Sequence, residues 1–132
     1  MKEFNLEKFN ETRWTFVVIK NNKITYRSKK EGLKPLLFCL KEKKDLLRNS
    51  TVYDKIVGRA AACLMIYGKV KSVITPVISR SALRELEKYQ IKINYQKTTG
   101  KIMNQGGDDI CPMEKLSKNK NPDEFARIML KT

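Results

Sequence analysis

The chain predicts an α/β fold of three layers, helices packed on both faces of a mixed sheet of four to five strands, and three observations carry that prediction. Short β-branched or aromatic runs alternate with amphipathic or apolar helical runs. A hairpin near the start supplies an antiparallel pair, residues 14–20 and 24–28 joined through Asn21-Asn22-Lys23. A strand, helix, strand series follows Gly68, and such a unit closes as a right-handed parallel crossover. The length of 132 residues fits a single domain covering 1–132.

The elements follow in order. Residues 1–11 carry Phe4, Leu6 and Phe9 between charged spacers and read as an amino-terminal arm or helix lying on the domain. The hairpin strands are WTFVVIK (14–20) and ITYRS (24–28). Leu33, Leu36, Leu37 and Leu40 recur at helical spacing within 32–44, so an amphipathic helix covers the sheet there. Residues 46–52 read as a connection, because Asn49-Ser50-Thr51 is weakly helical. The stretch 53–68, YDKIVGRAAACLMIYG, organises the rest. From Val57 to Tyr67 only Arg59 is strongly polar, the pattern of a helix buried on most faces and starting between Asp54 and Arg59. Gly68 is placed as the left-handed residue beyond its carboxyl end.

Residues 72–78, SVITPVI, form a buried strand whose Pro76 marks an end or an edge, since proline has no N–H for the ladder. Ser79 or Ser81 caps a helix over 82–89, and 91–99 alternates as a fourth strand. A loop over 100–110 contains Gly106 and Gly107, without the spacing of a phosphate-binding loop. Cys111-Pro112-Met113-Glu114 opens one helix, and Asn121-Pro122-Asp123-Glu124 opens a carboxyl-terminal helix within 121–132.

Composition excludes several function classes. There is no run of about 18 apolar residues and no apolar leader, so a cytoplasmic protein is expected. Cys39, Cys63 and Cys111 are odd in number, and two of them sit in apolar helical runs, against a disulfide framework. Histidine is absent and no carboxylates cluster with the thiols, so no metal site and no cofactor are expected. The net charge is +14, from 28 basic and 14 acidic residues. Residues 20–48 hold ten of the basic residues against Glu31, Glu42 and Asp45. Such a surface attracts nucleic acid or another polyanion. It equally keeps a small protein soluble, and the aromatic residues are not interleaved with the basic ones as a single-strand binder requires.

Three motifs, V-G-R-A-A-A, then T-P-V-I-S-R, then C-P-M-E-K-L, resemble those of the DUF1893 or Tm1506-like group, bacterial proteins of uncharacterised function. The resemblance covers residues 14–116 and implies the cytidine deaminase-like fold. In that fold a His-Ala-Glu or Cys-Ala-Glu triplet starts a helix, and a Pro-Cys-x-x-Cys follows on the next strand. Here the triplet falls near Gly58-Arg59-Ala60 and the second motif on residues 76–80, with no zinc ligand in either. A zinc-dependent deaminase needs the metal to lower the pKa of water and a Glu to move protons. The resemblance therefore implies the fold without that reaction.

Ligands of such sheets lie outside the carboxyl ends of parallel strands, near helix starts. Asp54, Gly58, Arg59, Ser79 and Arg80 fall there and form the candidate ligand site, with two guanidinium groups suited to a nucleotide-like or other anionic small molecule. Asp54 as an N-cap with Arg59 as its buried partner is the purely structural alternative, as is Ser79 as a cap. Cys111, at a helix start among lysines, is a candidate nucleophile of a metal-independent enzyme, with Glu114 or Asp109 as base. A capping role for Cys111 and Glu114 needs no chemistry. Partners weighed are thus the small anion, nucleic acid on residues 20–48, and a second copy through 1–11 and 121–132, giving a homodimer.

Overall fold

The computed structural model describes residues 4–100 and 112–131; Cys111, Asp109 and the Gly106-Gly107 pair lie outside them. In chain order the elements are α1 (Leu6–Glu11), β1 (Phe16–Lys20), β2 (Lys23–Ser28), α2 (Lys34–Glu42), α3 (Lys44–Leu47), β3 (Thr51–Asp54), β4 (Ile56–Val57), α4 (Arg59–Tyr67), β5 (Ser72–Ser79), α5 (Arg80–Lys88), β6 (Lys92–Thr99), α6 (Pro112–Ser117) and α7 (Pro122–Leu130). The strands line up as β2-β1-β3-β5, with β4 and β6 also pairing with β5. β1 is antiparallel to β2 and β3, whereas β5 is parallel to β3, β4 and β6. The sheet is mixed and open, with helices on both faces.

Asn21 and Asn22 turn the hairpin with φ of 54° and 63°. Both are left-handed, as the two-residue turn that matches strand twist requires. One face of the sheet packs Phe16, Val18, Val52 and Ile78 against Leu36, Leu64, Leu86 and Phe125 of α2, α4, α5 and α7. The other face gathers Phe9, Val17 and Tyr53 beneath α1, where Lys55 Nζ donates to Phe9 O at 2.8 Å.

The central strand corrects the sequence reading, which made 46–52 a connection and 53–57 the approach to a helix. Residues 44–47 form the short α3, and Thr51–Asp54 is the strand on which the sheet changes from antiparallel to parallel. T-V-Y-D-K-I-V is too short and too mixed to show a period and runs straight into apolar helix. Partners on both sides make it a strand. β3 and β4 keep one register on β5, Tyr53 beside Ile74 and Ile56 beside Val77, so they are one strand interrupted at Lys55. Continuing that register sets Pro76 opposite Lys55. The proline therefore sits inside β5, away from any end or edge, at the place where its neighbour breaks. Thr75 Oγ1 accepts the Val77 N–H at 3.3 Å beside it.

Gly68 also departs from expectation. The left-handed residue after α4 is Lys69, with φ of 61°. The Lys69 N–H reaches Ile66 O at 3.0 Å and the Val70 N–H reaches Met65 O at 3.2 Å, the paired bonds of a Schellman motif. A Cβ on Gly68 would lie 3.2 Å from both Leu40 Cδ2 and Leu47 Cδ1, so the glycine serves close packing. Lysine is left at the position glycine usually takes, at a cost of about 1 kcal/mol.

Candidate functional site

α4 begins with no side chain of its own to cap it. Gly58 is the N-cap, extended at φ −100°, and makes no side-chain bond. The first amides of a helix lack intrahelical acceptors and sit at the positive end of its dipole. Glu114 of α6 fills this need from 55 residues away: its Oε2 accepts from Arg59 N and its Oε1 from Ala60 N, each at 2.9 Å. Ser117 Oγ in turn donates to Glu114 O at 3.0 Å, closing the turn that carries the carboxylate.

The Arg59 side chain is engaged inside the fold on all three nitrogens. Nη1 pairs with Glu85 Oε2 of α5 at 2.7 Å, Nε donates to Ser117 O at 3.2 Å and Nη2 to Lys120 O. The Arg59 and Glu85 side chains are only 16% and 11% exposed. One guanidinium thus ties α4 to α5, to the end of α6 and to the turn before α7. Glu85 escaped the sequence reading. The available signal was its place beside Ala82 and Leu86 on the buried side of α5.

Asp54 ends β3 and is buried. Burial pushes its carboxyl well above the usual aspartate value of 3.8, against the pull of hydrogen bonds from the Ile56 and Lys55 amides. Those amide bonds fold the chain out of the ladder where β3 stops. No arginine partners Asp54 among the described residues, so the expected Asp54–Arg59 pair is not formed. The native state holds this proton at pH values where the unfolded chain has released it. Stability therefore falls as pH rises from about 3.8 through the folded-state value, and is flat above it. Asp54→Asn is expected to melt at higher temperature than the parent at pH 7, with the gap closing toward pH 4. Thermal melts of both proteins from pH 4 to 8 check this, and parallel curves would refute it.

Ser79 N-caps α5, accepting from Ala82 N at 3.0 Å. Arg80 is exposed, and a Cβ on Gly100 would stand 3.5 Å from its Nη1. Val57 pairs with Ile78, so Gly58 and Ser79 leave the sheet as neighbours. The structure therefore gathers all five residues at the carboxyl ends of β3, β4 and β5, with different degrees of availability. Gly58, Arg59 and Ser79 are taken up in holding helix starts, Asp54 is buried, and Arg80 faces solvent. Glu114 joins them through the α4 amides. Cys111 lies outside the described residues. Burial raises the Cys63 thiol to about 11 and Cys39 to about 12, leaving both inert near neutral pH.

Among the described residues no three Cys, Asp or Glu converge as metal ligands, and no helix is long and apolar enough to cross a membrane. The basic segment is not one face. Arg27 and Lys29 lie 4.6 and 4.9 Å from the Trp14 ring centre, whereas Lys44 approaches the Tyr67 ring of α4.

Comparison with known proteins adds the following. The family model described as TM1506, a domain of unknown function (DUF1893), matches residues 5–131. The crystal structure of a DUF1893 family protein (TM1506) from Thermotoga maritima is similar, with a TM-score of 0.85 and 29% identity, over 96% of this chain and 85% of that one. No curated protein matches the sequence.

Proposed function

The chain belongs to the DUF1893 (TM1506) family, whose function is unknown, and we propose that it binds a small nucleotide-like anion where β3, β4 and β5 end. The reading keeps a deaminase-like pocket without its zinc chemistry. At the positions corresponding to the zinc ligands stand Gly58, Val77 and Arg80, which offer no lone pair to a metal, and Ala60 stands where the catalytic Glu would be. One observation supports the proposal: the Glu114 carboxylate sits on two successive α4 amides at 2.9 Å, so negative charge is favoured at this helix start. Beside it α5 starts with exposed Arg80, which grips the ligand's phosphate or carboxylate.

Arg80→Ala is expected to weaken nucleotide binding about tenfold, the loss of one charge-assisted bond, with the melting temperature unchanged. Isothermal titration at moderate salt measures it. Full affinity in Arg80→Ala, or no heat with any nucleotide, would overturn the reading.

Trp14, with Arg27 and Lys29 at 4.6 and 4.9 Å from its ring centre, supports a second reading, a polyanion such as RNA on the 20–48 segment. Its sign is affinity that falls steeply with salt. A metal-independent enzyme using Cys111 is the third; selective alkylation of that thiol near neutral pH is its test.

A further inference from the structure

A concavity lies at the other end of α4. It has a volume of about 490 Å³ and is lined by Lys44, Arg48, Tyr67, Lys69, Tyr89 and Asp123, among others. That volume is within the roughly 300–1,000 Å³ common for small-molecule sites. Three cations face one carboxylate, and Asp123 is already paired with Arg127 at 3.0 Å. Arg48 and Lys69 have no ion-pair partner among the described residues. Two tyrosines share the walls. Tyr89 is 44% exposed, with Lys88 Nζ 6.0 Å from its ring centre, and Lys44 Nζ stands 5.5 Å from the Tyr67 ring centre.

Left-handed residues sit at or next to three of the lining side chains: Asn49 after Arg48, Lys69 itself, and Gln90 after Tyr89, with φ of 62°, 61° and 61°. The Asn49 N–H donates to Lys69 O at 2.9 Å, joining two of these turns. Complementing the negative end of α4 needs a single cation. Three cations, one of them a lysine in the left-handed region, and two aromatic rings in one cleft exceed that need.

We infer that this cleft is a second site, distinct from the mouth at the strand ends, that takes a nucleoside phosphate: the base lies against Tyr89 and Tyr67, and the phosphates meet Arg48, Lys44 and Lys69. The nucleoside phosphate is a free nucleotide or the 5′-phosphorylated end of a single strand, since both present the same group.

The test measures binding of ADP, inorganic phosphate and a 5′-phosphorylated hexanucleotide to the full chain at fixed salt. ADP or the hexamer is expected to bind at least about tenfold tighter than phosphate alone, because the base adds stacking. Tight ADP binding assigns the free nucleotide, and tight binding of the hexamer alone assigns the strand end. Tyr89→Ala and Lys69→Gly each lose about tenfold. Lys69→Gly also melts at an equal or higher temperature, since glycine relieves the left-handed strain, so its loss of binding is not a loss of fold. The cleft variants are also compared within an Arg80→Ala background, where binding at the mouth is weakened, so affinity that Tyr89→Ala and Lys69→Gly remove there belongs to the cleft. No binding of either nucleotide probe, or unchanged affinity in both cleft variants, overturns the assignment.

Discussion

Arg59→Ala is expected to destabilise the protein by about 3–5 kcal/mol, the cost of stranding one member of a buried ion pair. Domains of this size are stable by about 5–15 kcal/mol, so the loss is a large share of the whole. Removing the guanidinium leaves the buried Glu85 carboxylate without its partner at 2.7 Å and frees the Ser117 and Lys120 carbonyls. α6 then loses part of its anchor to α4. Lysine does not restore the site, because one ammonium cannot reach three acceptors fanned around a planar group. An apolar pair does better: Arg59→Met with Glu85→Leu is expected to recover most of the loss, since no charge remains to be buried unpaired. Urea unfolding of the two single variants and the pair measures this. A single Arg59→Ala variant within about 1 kcal/mol of the parent would show that the network does not hold the fold together. The same network makes Arg59→Ala a poor probe of ligand binding, and Arg80 the better one.

Glu114→Ala is expected to cost about 2–4 kcal/mol, because two charge-assisted bonds to α4 amides disappear together. Both donors lie at the positive end of the helix, where a carboxylate is favoured over any neutral group. Glu114→Gln falls between the two, keeping one acceptor while turning an amide N–H₂ toward a backbone donor. Hydrogen exchange localises the effect: the Arg59 and Ala60 amides exchange faster in Glu114→Ala, whereas the amides of the β1–β2 hairpin keep their rates relative to global opening. Protection of Arg59 and Ala60 equal to that of the parent would sink the assignment. The variant also vacates the anion seat that supports the proposed function, and added phosphate is expected to restore part of the lost stability.

The candidate site was legible in part. Asp54, Gly58, Arg59, Ser79 and Arg80 do meet at the strand ends, because each ends a strand or starts a helix and the parallel ladder sets those boundaries side by side. Their availability was not legible. Whether Arg59 faces a ligand or Glu85 depends on where α5 packs, and whether α4 starts with open amides depends on a carboxylate 55 positions along the chain. Gly68 shows the same limit on a smaller scale. A glycine after an apolar helix reads as the left-handed cap, but the space left by Leu40 and Leu47 put it one position earlier and gave the strained angle to Lys69.

What the residues determined by themselves is what near neighbours along the chain control. The Asn21-Asn22 turn, the Ser79 cap, the capping box of Asn121 and Glu124, the apolar body of α4 and the charge of +14 all rest on contacts within a few positions, or on none. Tertiary structure alone decided that Thr51–Asp54 is the central strand, that Pro76 belongs inside a sheet, and that Glu114 engages the Arg59 backbone amide while Glu85 engages its guanidinium. A strand exists through its partners, a buried charge through its counterion, and both come from parts of the chain that only folding brings together.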